Sequence, residues 1–187
     1  MNESWAGARI ILVGGGARSG KSRFALDYAR RLGQRRVFVA TAEGLDDEMR
    51  ARIARHREER GAAFTTVEAP LDLPETLAEL AAEVVVVDCL TLWLSNLLMA
   101  GLDAPAIEDR LAALEAVLLR RRFHALVVSN EVGMGVVPET PLGRTFRDLT
   151  GGAHQRLCRT ADELYLAAMG IILRVHPGPV ERAQEPS

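Results

Sequence analysis

The sequence predicts an α/β fold with a mainly parallel central sheet, and three observations carry that expectation. Mostly apolar runs of five or six residues, 8–13, 36–41, 84–88 and 125–129, recur along the chain; they read as strands buried on both faces. Longer segments with helical spacing separate them, the alternation that builds parallel strands. The first run closes on Gly15, Gly20, Lys21 and Ser22 in the pattern GxxxxGK[ST], after a strand and before a helix, which is the context that pattern requires.

In such a loop, glycines let the backbone curl so that N–H groups face phosphate oxygens, and the following helix aims its positive end at the same charge. Gly15, Gly16, Ala17, Arg18, Ser19, Gly20, Lys21 and Ser22 are therefore candidate phosphate contacts, with Lys21 reaching the β/γ-phosphates and the Ser22 hydroxyl holding Mg²⁺. Of 23 basic residues, 22 are arginine and the one lysine is Lys21. A compact ammonium on a flexible stem is retained at the place where a planar guanidinium is no substitute.

The 187 residues suffice for one domain with a real core, expected over 1–176 and followed by a polar, proline-bearing tail, 177–187, expected to be disordered. A composition of 48% hydrophobic and 26% charged residues with net charge −2 is that of an ordinary soluble protein and argues against a nucleic-acid partner. No apolar stretch approaches the roughly 20 residues of a membrane span, and the first residues do not resemble a secretory signal. Cys89 and Cys158 fit neither a disulfide framework nor a metal-ligand spacing, so both read as reduced, core-facing thiols of a cytoplasmic protein.

Taken in order, 8–13 is the first strand and 22–32 the helix opened by the loop. The strand 36–41 follows, and its end at Thr41, Ala42 and Glu43 should share the sheet edge where ligands gather in open α/β sheets. A helix over 45–60 has acids in its first turn and arginines in its last, which suits the macrodipole. Met49, Ile53 and His56 share its inward face. His56 is either a core residue or a nucleophile; Arg52, Arg55, Arg57 and Arg60 favour the second, since positive charge keeps the ring neutral and attracts phosphates. Residues 65–68 read as a short strand and 71–83 as a helix. The strand VVVVD ends at Asp88, a carboxylate suited to Mg²⁺ or its water opposite the loop serine.

Two helices are expected over 90–102 and 106–122, the second ending in a solvated cluster, Arg120 to Arg122. After the strand 125–129, NEVGMGVVPETPLG is a glycine- and proline-bearing loop at a position where catalytic loops sit. A helix over 146–162 and an edge hairpin, 164–168 with 171–175 turning at Gly170, complete the chain.

Together, GGARSGKSR, LDDEMRARI with H and ER following at fixed spacing, the acid-ended strand before CLTLWLSNLL, SNEVGMGVVPE, FRDLTG with QRL, and ADELYL resemble the bifunctional adenosylcobinamide kinase / adenosylcobinamide-phosphate guanylyltransferase family. The resemblance runs from about Ile10 to Ile172, and NEVGMGVVP is its most specific part. It implies a RecA-like phosphate-loop fold, a three-layer sandwich, in a homotrimer. It implies a corrinoid substrate, adenosylcobinamide and then its phosphate, with ATP or GTP as phosphate donor, GTP as GMP donor and Mg²⁺ as cofactor. It places a covalent GMP on His56 and nucleotide contacts on Gly15 to Ser22, Thr41, Ala42, Glu43, Arg57, Glu58, Glu59, Arg60, Glu68 and Asp88. Asp88 stands where the best-known members carry glutamate, and Arg55 where they can have a second histidine.

Two other functions suit the same residues. A single-activity phosphate-loop kinase needs Lys21 and Mg²⁺ but gives His56 no covalent role, and a GTP-dependent switch module would use the Gly133 to Pro138 loop as its moving part.

Overall fold

The computed structural model describes residues 7–43, 47, 54 and 61–183. The described elements are β1 (Ile10–Gly15), α1 (Lys21–Leu32), β2 (Arg36–Ala40), a 3₁₀ turn (Gly61–Ala63), β3 (Thr65–Glu68), α2 (Leu73–Glu79), β4 (Val84–Asp88) and α3 (Leu90–Met99). They continue with α4 (Ala104–Leu119), β5 (His124–Asn130), α5 (Pro141–Thr160), β6 (Glu163–Ala168), β7 (Ile171–His176) and β8 (Glu181–Arg182). The helix expected over 45–60 lies outside the described residues.

The strands form one sheet in the order β3-β2-β4-β5-β1-β6-β7-β8, parallel from β3 to β6 and antiparallel at β7 and β8. Alternation along each strand divides the core between the two faces. Val84 and Val86 of β4, with Ile11, Val13, Leu126 and Val128, pack under Ala25, Leu26 and Ala29 of α1. Val85 and Val87, with Ile10, Leu12 and Val127, pack against Leu73, Leu90, Trp93, Leu111 and Leu157 of the four helices on the other face. A strand whose two faces are both roofed by helices must be apolar throughout, which is why VVVVD reads as an unbroken run. Trp93 is fully buried, and its indole N–H donates to the Leu71 carbonyl at 2.8 Å. No described helix is long and apolar enough to cross a membrane.

Several boundaries differ from the sequence expectation for local reasons. Helix α2 stops at Glu79 because the following residues cross back extended: the Glu83 carboxylate accepts from Gln34 N–H at 2.7 Å and the Glu83 N–H donates to the Arg35 carbonyl. Helix α4 ends at Leu119; Arg120 is exposed, as a solvated end would be, but the next two arginines are cross-links. Arg121 binds both carboxylate oxygens of Asp162, at 2.7 and 3.0 Å, while Arg122 donates to the Ala78 carbonyl. Helix α5 begins at Pro141, five residues before the expected start, with the Thr140 hydroxyl accepting from Gly143 N–H at 3.1 Å.

The hairpin turns through Met169 and Gly170, both at positive φ, as a two-residue loop with the right strand twist demands. Beyond it, within the stretch 177–187 expected as a tail, the described residues reach 183 and include β8. Glu181 and Arg182 pair with Arg174 and Leu173, an Arg174–Glu181 ion pair supports them, and Ala183 N–H bonds to the Ile172 carbonyl.

Candidate active site

The loop between β1 and α1 owes its path to two glycines. Gly15 has φ +152°, and a Cβ there would overlap the Ala167 carbonyl oxygen of β6 and lie 2.9 Å from Ser19 Oγ. Gly20 precedes α1 with φ +93°, a left-handed conformation that side chains disfavour. Arg18 also has positive φ, at 55°. Gly15, Ser19 and Lys21 are buried, Ser22 is half-buried, and Gly16, Ala17, Arg18 and Gly20 are exposed along the rim. Lys21 Nζ donates to the Gly16 carbonyl at 2.9 Å, which keeps the ammonium inside the loop. The Ser19 hydroxyl is buried with no hydrogen-bond partner among the described residues.

Register brings the other candidates to the same sheet edge. Gly15 pairs with Asn130, Ala40 with both Asp88 and Glu68, and Asp88 with Val128. The loop strand and the strand ending in Asp88 are thus separated by β5 alone. Asp88 is half-buried; Glu43 and Glu68 are exposed and Ala42 half-buried. Thr41 is fully buried, and its hydroxyl donates to the Cys89 carbonyl and accepts from the Cys89 N–H, both at 2.8 Å. Its side chain joins the ends of β2 and β4, leaving Ala42 and Glu43 as the accessible part of that trio. The Asn96 amide reinforces this corner by donating to the carbonyls of Thr41, at 2.8 Å, and Pro70, at 3.1 Å. His56, Arg57, Glu58, Glu59 and Arg60 lie outside the described residues.

No three His, Cys, Asp or Glu side chains gather as a metal cage among the described residues. The donors at this edge, the Ser22 hydroxyl and the Asp88 carboxylate, are oxygens, and such a pair suits a hard cation that takes its other ligands from phosphates and water.

At the same edge the structure adds Thr91 and His154, which the sequence reading left out, and ties in Asn130 and Glu131 of the NEVGMG loop. Thr91 Oγ1 accepts from Asn130 Nδ2 at 2.9 Å and lies 3.2 Å from Cys89 Sγ. The Glu131 N–H donates to the Gly15 carbonyl at 2.9 Å, tying the NEVGMG loop to the phosphate loop. The Glu131 carboxylate accepts from Gly133 N–H and lies 3.7 Å from His154 Nδ1. His154 Nε2 is 2.7 Å from the buried Ser129 hydroxyl, and burial lowers its pKa although Glu131 pulls the other way. His154 is one residue of a long amphipathic helix, so only its contact with β5 distinguishes it. Burial and the Asp88 charge push the Cys89 thiol up to about 11.

The model of the cobinamide kinase / cobinamide phosphate guanyltransferase family matches residues 11–175. The chain belongs to this family. The bifunctional adenosylcobalamin biosynthesis protein of Salmonella typhimurium is 40% identical over 180 residues, covering 89% of this chain and 99% of that one. Its counterpart from Pseudomonas aeruginosa is also 40% identical, over 172 residues, with 90% and 98% covered. Among solved structures, the RadB recombinase aligns with a TM-score of 0.54, over 94% of this chain and 81% of that one. At 18% identity that likeness speaks for the fold alone, a phosphate-loop α/β sandwich.

Proposed function

We propose that this protein phosphorylates adenosylcobinamide and then transfers GMP from GTP to adenosylcobinamide phosphate, through a GMP–histidine intermediate on His56. The observation that carries the reading is that the family match over residues 11–175 contains a formed phosphate loop holding the chain's one lysine inside it.

In the first reaction the hydroxyl oxygen of the substrate's aminopropanol arm attacks the γ-phosphorus; the bond to the β-bridging oxygen breaks and a nucleoside diphosphate leaves. Lys21 and the loop N–H groups offset charge on the transferring group and the leaving oxygen. In the second, a ring nitrogen of His56 attacks the α-phosphorus of GTP and pyrophosphate leaves. The phosphate oxygen of the substrate then attacks that phosphorus and frees the histidine. Ser22 and Asp88 would hold Mg²⁺, which neutralises phosphate charge when bound. Glu43, Glu68, Ala42, Arg57 and Arg60 would line the nucleotide's approach. Family resemblance supports a cytoplasmic homotrimer.

The test is incubation with Mg²⁺ and GTP labelled at the α-phosphate, then denaturation and intact mass, beside His56→Ala. An acid-labile, alkali-stable GMP adduct absent from the variant is expected. GTP turnover dependent on the corrinoid but without any adduct would leave a plain kinase.

A further inference from the structure

A cavity of about 720 Å³ opens from the phosphate loop, and beyond the loop it is lined by residues that have no part in the mechanism so far. It is a trough along α1, closed on its far side by the β7–β8 end of the sheet. Gly20, Arg23, Phe24, Asp27 and Arg31 line it at i, i+3, i+4, i+7 and i+11, one face of the helix. Ile172, Arg182 and Ala183 form the opposite wall. Its inner end is the phosphate loop itself, at Arg18 and Ser19, the latter with its buried, unpartnered hydroxyl. Thr41, Ala42, Glu43, Glu68 and Asp88 lie on the other side of the loop, at the ends of β2, β3 and β4.

Three properties fix the chemistry of an occupant. The volume lies in the roughly 300–1,000 Å³ range of small-molecule sites. The charge is positive for a chain of net −2, since among the described residues that line the trough arginines 18, 23, 30, 31 and 182 stand beside one carboxylate, Asp27, itself paired with Arg30. The wall is aromatic as well: Phe24 stacks on Tyr28 at 5.6 Å between ring centroids and packs on Tyr165 at 4.8 Å, a braced platform with its remaining surface toward the trough. Guanidinium planes and a phenyl ring are surfaces on which a purine stacks. Gly20 and Arg23, at the junction of loop and helix, make this surface continuous with the phosphate loop.

We infer that the trough seats the ribose and purine of the nucleoside triphosphate that donates the γ-phosphate, with Phe24 as the stacking platform and Arg18 and Arg182 flanking it. The inference rests on the proposed function only in needing a polyphosphate chain in the loop. It assigns the donor's nucleoside to the β7–β8 side and leaves the β2–β3 side for the second substrate.

Calorimetric titration of the full-length protein with Mg²⁺ and either ATP or inorganic tripolyphosphate tests it, using wild type, Phe24→Ala, Arg182→Gln and Lys21→Ala. Phe24→Ala and Arg182→Gln should each weaken ATP by about fivefold to tenfold or more, consistent with loss of one stacked base contact, and leave tripolyphosphate unchanged. Lys21→Ala should weaken both ligands. Arg182 lies on an exposed strand, so its variant retains the core if Phe24→Ala disturbs the aromatic stack. ATP unaffected by both trough variants, or both ligands weakened alike by Arg182→Gln, would overturn the assignment. Failure of wild type to bind tripolyphosphate would instead overturn the phosphate-loop reading beneath it.

Discussion

Cys89 and Cys158 illustrate how far neighbours set the chemistry of identical side chains. Cys89 is 2% exposed beside the Asp88 carboxylate, and both burial and that charge oppose the thiolate. Cys158 is half-buried on α5, and burial alone raises its pKa. In a thiol-reagent titration of the native protein at neutral pH, one group, Cys158, should react, with Cys89 following only on unfolding; two fast equivalents would contradict this. The histidines give a pH signature. His124 Nδ1 accepts the Arg9 N–H at 3.1 Å, which requires an unprotonated nitrogen. Burial lowers the pKa of both His124 and His154 below the ordinary 6.5. The unfolded chain then binds more protons below about pH 6.5, so stability is full above that value and falls as pH drops through the folded pKa values. Urea midpoints measured from about pH 7.5 to 5 should decline, and a His124→Gln/His154→Gln double variant should flatten the curve. An unchanged slope in the double variant would assign the decline to carboxylates instead.

At the scale of elements, α5 shows a local signal overridden by a louder one. The glycines and prolines of NEVGMGVVPETPLG read as loop, yet Thr140-Pro141 is an N-cap followed by a first-turn proline, and the helix starts there. Thr140→Ala should cost about 1 kcal/mol of stability by chemical denaturation; a neutral result would mean the Pro141 start suffices. The strand β8 left no comparable trace, because two charged residues between prolines have no periodicity. They form a strand only because β7 offers an open edge and Arg174 faces Glu181. Glu163 is a similar case on β6. This buried carboxylate accepts from the Tyr165 hydroxyl of its own strand at 2.7 Å and from the Tyr28 hydroxyl of α1 at 2.8 Å, and it pairs with Arg9 ahead of β1, the last two partners being distant in the chain.

For the whole molecule, the consequential feature is that the phosphate loop stands between two unlike flanks, the acidic β4–β2–β3 edge and the arginine-lined trough on the β7–β8 side. One loop serving both reactions from these flanks predicts that Lys21→Ala depresses kinase and guanylyl-transfer activity together, by about 2–3 decades if one preorganised contact to the transferring group is lost. Clean loss of a single activity in paired assays would separate the sites.

The sequence by itself determined the α/β alternation, the phosphate loop with its one lysine, and the acid-ended strand. Each is a local pattern: a buried parallel strand must be apolar on both faces, and a phosphate loop needs glycine where φ is positive. What only the tertiary structure decided involves partners distant in the chain. Strand order set Asp88 one strand away from the loop, and the Thr41 hydroxyl became a strand tie through Cys89. His154 met Ser129 and Glu131 across the α5–β5 contact. The trough exists because β7 and β8 come to rest beside α1, more than 140 residues after the helix begins, a juxtaposition that packing creates and no local pattern encodes.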